Sequence, residues 1–108
     1  MSRVVLDTSA ILAYLFDETG AEQVAPILES NLGVISSVNY AELASKLVDK
    51  GMPLEAVISA IQNLELTFIG QDGQQAQVNA KLRPLSKAFG LSLGDRACLA
   101  LGLVQNLP

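Results

Sequence analysis

Three short apolar runs, each followed by a stretch of helical periodicity, constrain the fold of this chain more than any other feature. Val4 to Leu6 is a continuous β-branched and leucine run, Gly33 to Ser36 reads GVIS, and Leu64 to Ile69 reads LELTFI. Val4–Leu6 and Gly33–Ser36 have the continuous apolar character of strands covered on both faces, as in a parallel sheet. Between the runs, apolar residues recur at spacings of three and four. Ile11, Leu12, Leu15 and Phe16 mark a helix over Ala10 to Phe16. Tyr40, Leu43, Ala44, Leu47 and Val48 mark the face of another, which Gly51 and Pro53 end. Pro53 opens a further helix in which Leu54, Val57, Ile58 and Ile61 are predicted to face inward. Strand alternating with helix predicts an α/β fold with a parallel sheet and right-handed crossovers.

The remaining elements follow from local signals. Thr19 and Glu22 have the T-x-x-E spacing of a capping box, and Pro26 should kink or shorten the helix they open. Asp72 is predicted to cap a helix running to about Arg83, with Pro84 breaking it before a short turn to Phe89. Gly94 to Gln105 is apolar nearly all round, which predicts a buried helix. No repeat or linker interrupts the pattern, so residues 1–108 read as a single domain.

Composition narrows the function classes. Only 5% of the residues are aromatic and none is tryptophan, which argues against a base-stacking platform. The net charge of -4 argues against broad affinity for nucleic acid. It does not exclude a nuclease, because an acidic pocket awaiting a cation lowers net charge. The basic residues Lys46 and Lys50 lie at helical spacing from Glu42, and Lys81, Arg83, Lys87 and Arg96 cluster in the last third. The lone cysteine, Cys98, excludes an internal disulfide and fits a reducing compartment. No segment resembles a signal peptide, and no apolar stretch approaches the roughly 20 residues of a membrane span. The expectation is a cytoplasmic protein.

The chain has no histidine, so its chemistry rests on carboxylates. Asp7, Glu42 and Asp95 each stand where an apolar run meets the start of a helix. Each has a structural reading: Asp7 as cap of the first helix, Asn39 with Glu42 as N-cap and N3, Ser92 with Asp95 as S-x-x-D. Ligands of parallel sheets bind beyond the carboxyl ends of the strands, and helices that begin there can bring all three acids to one rim. Carboxylates gathered in that way repel, and one takes up a proton unless a hard divalent cation compensates. Hydrolysis at such a pocket would use metal-activated water. A phosphotransfer site of dehalogenase type would need an acid two positions after Asp7, where Ser9 stands, and a receiver would need paired acids near the first strand.

The segments VVLDTSA, SSVNYAEL and GLSLGDRACLALG, in that order, closely resemble the three signature segments of PIN-domain ribonucleases. Within that superfamily they look most like the VapC toxins of bacterial toxin–antitoxin pairs, and the resemblance spans essentially the whole chain. It implies a Mg2+- or Mn2+-dependent endoribonuclease with Asp7 and Asp95 as principal metal ligands and Glu42 as the third acid, direct or through water. Thr8 or Ser9 would hydrogen-bond within the site, and Lys46 and Arg96 are the candidates for holding substrate RNA. The resemblance also implies a homodimer and a cognate VapB-type antitoxin. Relatives carry a fourth acid on a strand past the position of Pro108, and that strand would lie beside the first one. The resemblance therefore implies a PIN-like three-layer α/β/α fold with a short central parallel sheet, C-terminally incomplete, either a fragment or a protein that completes its sheet by association through the Val4 to Leu6 edge. A noncatalytic PIN domain that keeps only partner binding is the alternative.

Overall fold

The computed structural model describes residues 2–108. The chain runs β1 (Val4–Val5), α1 (Thr8–Leu15), α2 (Ala21–Glu29), β2 (Gly33–Ser36), α3 (Ser37–Asp49), α4 (Leu54–Gln62), β3 (Thr67–Ile69), α5 (Gly73–Lys81), α6 (Arg83–Phe89) and α7 (Leu93–Gln105). The three strands form one parallel sheet in the order β1-β2-β3. Val5 lies opposite Val34, and Val34 in turn opposite Thr67. The central strand is buried at all four residues, as its unbroken apolar run predicts. Gly33 is required there by close approach: a Cβ at that position would lie 2.7 Å from Leu66 Cδ2.

The core gathers on one side of the chain's early elements. Leu6, Ile11, Val24, Leu28, Ile35, Leu43, Leu47, Val57 and Ile61 form one buried cluster. Each fully buried aliphatic side chain of this kind contributes about 1.5–3 kcal/mol. Leu43 and Leu47, one turn apart on α3, carry that helix's apolar stripe into the cluster. No helix among the described residues is long and apolar enough to cross a membrane.

Several local expectations are corrected. Thr19 and Glu22 form no capping box; Gly20 occupies the N-cap of α2 in the left-handed region at φ 97°, with no side-chain cap. Pro26 sits inside α2 and the helix continues to Glu29. Asn39 is not an N-cap: Ser36, the last residue of β2, caps α3 by accepting from Val38 N, so strand passes into helix without a loop. On α4 only Val57 and Ile61 are buried, while Leu54 and Ile58 are exposed. Helix α7 buries one small-residue face, Gly94, Ala97, Ala100 and Leu101, and exposes Leu93, Leu99 and Leu103. The third strand is shorter than its apolar run, starting at Thr67. Elsewhere spacing and structure agree: Asp72 caps α5 through Gln75 N, and Pro84 lies in the first turn of α6.

The outer edge of β1 is not bare. Val4 N and Leu6 N donate to β2 and the residue before it, at Leu32 O and Val34 O, while Val5 N points the other way and donates to Pro108 O at 3.0 Å. Helix α7 thus leads the chain back to the strand on which the fold begins.

Candidate active site

The carboxyl ends of β1 and β2 open onto a common rim where α1 and α3 begin. Asp7 is separated from the end of β1 by Leu6 alone and caps α1, its Oδ1 accepting from Ala10 N at 2.8 Å. Asp95 lies in the first turn of α7 within a complete capping box. Ser92 Oγ accepts from Asp95 N at 3.1 Å, and Ser92 N donates to Asp95 Oδ2 at 2.9 Å. Both aspartates therefore hold a structural post with one oxygen, and Asp7 Oδ2 and Asp95 Oδ1 take no part in it.

Glu42 is held differently, by one neighbour on its own helix and one partner far away in sequence. Its Oε1 accepts from Thr8 Oγ1 at 3.0 Å and from Asn39 Nδ2 at 3.2 Å. Thr8 is buried and also lies 3.3 Å from Asn39 O, but it has one proton to give. The charged carboxylate at the shorter distance is the stronger acceptor. Asn39, only 1% exposed, reaches a third element through Gly94 O at 3.1 Å. Gly94 leaves the notch in which Glu42 rests, since a Cβ there would collide with Glu42 Oε1 and Cδ and lie 2.6 Å from Oε2. One carboxylate thus ties the starts of α1, α3 and α7 together. Sequence reading placed Asn39 as a cap; once Ser36 takes that post, the Asn39 side chain is free to face inward.

The position of Gly94 beside Glu42 brings Asp95, its neighbour, to the same rim. A second marker is the half-buried Cys98, one turn further along α7. Burial and then the negative charges of Asp7 and Asp95 push its thiol up from 9.0 to about 11. Asp7 and Asp95, each at a helix start, thus both act on this thiol through their charge. Among the described residues no three acidic or cysteine side chains are gathered into a ready metal-holding group. The two caps engage one oxygen each of Asp7 and Asp95, and the bonds from Thr8 and Asn39 engage one of Glu42.

The other expected site residues lie around these acids. Ser9 is exposed on the first turn of α1. Lys46 and Glu42 share a shallow groove of about 590 Å³ with Ser37, Val38, Ala41 and Ser45, all on one face of α3. Ser37 Oγ accepts from Gln71 N at 2.9 Å, fixing the loop after β3 against the head of that groove. Arg96 follows Asp95, and its buried Nε has no hydrogen-bond partner.

The sequence profile of the PIN domain matches residues 4–108, which takes in all three strands and all seven helices. The chain belongs to the PIN-domain family. Members of this family are nucleases, generally dependent on divalent metals, and a helix-rich domain around a short three-stranded parallel sheet is compatible with their α/β/α fold. Among curated proteins, none matches the sequence. The donors on the rim, though not gathered into one cluster among the described residues, are of the type that suits the cation such nucleases use. They are hard carboxylate oxygens, suited to Mg2+ or Mn2+, and each acid keeps one oxygen outside its structural bonds.

Proposed function

We propose that this PIN domain is a Mg2+- or Mn2+-dependent endoribonuclease, the toxin of a VapC-type toxin–antitoxin pair acting in the cytoplasm. The observation that carries the reading is the rim itself. Asp7 and Asp95 stand at the starts of α1 and α7, while Glu42 is braced by Thr8 and Asn39 against Gly94, next to Asp95. A cation held there by Asp7 and Asp95 would supply activated water and stabilise charge on the phosphodiester.

The chain's own residues divide the remaining tasks. Glu42 is the third acid, reaching the metal or its water through Oε2. Thr8 acts through Glu42, since it is buried and its hydroxyl is committed to that carboxylate. Ser9, exposed beside it, offers a hydroxyl to substrate. Lys46 on the α3 groove and Arg96 beside Asp95 supply the positive charge that a backbone phosphate needs, Arg96 as a planar fork and Lys46 as a point charge. Exposed apolar side chains, among them Phe16, Phe89 and Leu103, are candidates for the homodimer and antitoxin contacts that the VapC resemblance implies.

A noncatalytic domain is the second reading, favoured by the engagement of all three acids in structural bonds and the lack of a preassembled acid cluster among the described residues. Asp7→Asn separates the two. Asparagine caps a helix about as well as aspartate, so folding should change little. Metal-dependent cleavage of labelled RNA should be lost in this variant. Equal cleavage by both proteins would remove Asp7 from the chemistry, and no cleavage by either with Mg2+ or Mn2+ would favour the noncatalytic domain.

A further inference from the structure

We propose that Asn39 and Gly94 are a positioning pair for the third acid, fixing which oxygen of Glu42 is offered to a metal. The inference rests on the nuclease reading above and adds to it two residues that make no contact with substrate.

The argument starts from proton counting. Asn39 Nδ2 carries two protons and meets three acceptors, Gly94 O at 3.1 Å, Glu42 Oε1 at 3.2 Å and Thr8 Oγ1 at 3.5 Å. The two nearest take the protons, and neither is able to donate in return. The amide is therefore locked in one orientation, because a flip would set Oδ1 against a carboxylate and a carbonyl. The consequence is visible on its other side, where Oδ1 is buried with no hydrogen-bond partner. A leucine at this position would fill similar space and leave no such orphan, so the amide is costly as packing and useful only as a donor.

Gly94 completes the arrangement. With Glu42 Oε1 taken by Asn39 and Thr8, the carboxylate lies over the Gly94 Cα, in space that any side chain would occupy. The far end of Glu42 is flexible, so a methyl group at Gly94 would displace the carboxylate rather than the helix. Asn39 pulls Oε1 inward, the notch admits the group, and Oε2 is left outside these bonds.

Two variants test this, each compared with the wild-type chain for Mn2+ affinity by calorimetry, for kcat and KM on a labelled RNA, and for thermal unfolding. Gly94 is the second residue of α7 and has no positive φ, so alanine suits the backbone there and the displacement falls on Glu42. Asn39→Leu removes the donors while keeping the volume. In both, Mn2+ affinity and kcat should fall by about ten- to a hundredfold, the range for residues that orient metal ligands, with KM little changed. Variants that fold and retain both wild-type affinity and wild-type kcat would overturn the proposal, as would a loss confined to KM. If Asn39→Leu does not fold, Gly94→Ala decides alone. Wild type that binds Mn2+ without cleaving RNA would remove the nuclease activity and leave affinity to judge the pair. Wild type that binds no Mn2+ would remove both.

Discussion

The two faces of α3 show how differently one helix is used. Its apolar face sends Leu43 and Leu47 into the cluster formed with Ile11, Ile35, Val57 and Ile61, where contacts are many, nondirectional and individually small. Its other side carries Asn39 and Glu42 into a seam where five hydrogen-bond contacts link Thr8, Asn39, Glu42 and Gly94. The first face fixes that the helix packs. The second fixes where one carboxylate sits to within a hydrogen bond, at the expense of an unsatisfied oxygen. Stability and site geometry are therefore carried by side chains three or four residues apart, and they should be separable by mutation.

The largest separation is expected at Leu47, which is 1% exposed. Leu47→Ala should cost about 2–5 kcal/mol of stability by urea unfolding, the range for a buried leucine truncated in a core. Cleavage per folded molecule should be unchanged, in contrast to Gly94→Ala, which should lower kcat in the folded protein. If Leu47→Ala also lowered kcat at temperatures where it is fully folded, the two faces would not be independent.

A smaller effect sharpens the comparison from the side of α7. Because burial and then Asp7 and Asp95 raise the Cys98 thiol to about 11, the folded chain keeps this proton when the unfolded chain, near 9.0, begins to lose it. The unfolded state then binds fewer protons, so stability from this group is fully present below about pH 9 and is lost as pH rises through 11. Wild type should lose more thermal stability over that interval than Cys98→Ser. Identical pH profiles would show that neither burial nor the two aspartates hold the thiol proton more tightly in the folded chain than in the unfolded one.

Much of this was legible in the sequence because it is local. The unbroken run GVIS predicted the fully buried central strand, and the spacings of Asp7 to Ala10 and Ser92 to Asp95 predicted caps that form. The failures share a cause. Ser36 took the cap expected of Asn39 because β2 enters α3 without a loop, and Thr19 lost its box because Gly20 turned the chain at positive φ. Periodicity also overstated burial on α4 and α7, where Leu54 and Leu103 meet no neighbouring element to cover them. The seam itself was out of reach of local patterns, since Thr8 meets Glu42 across 34 residues and Asn39 meets Gly94 across 55. The only local trace of it was an asparagine and a glycine, each three residues or fewer from an acid.

The central claim is that Asp7 and Asp95 hold one divalent cation between two helix starts. Calorimetric titration of Mn2+ into wild type, Asp7→Asn and Asp95→Asn tests it most directly, because it reads the site without requiring a substrate. One bound cation in wild type, weakened strongly in each variant while thermal unfolding shows both still folded, is the predicted result. Wild-type affinity in either folded variant, or no binding by wild type at all, would contradict the account.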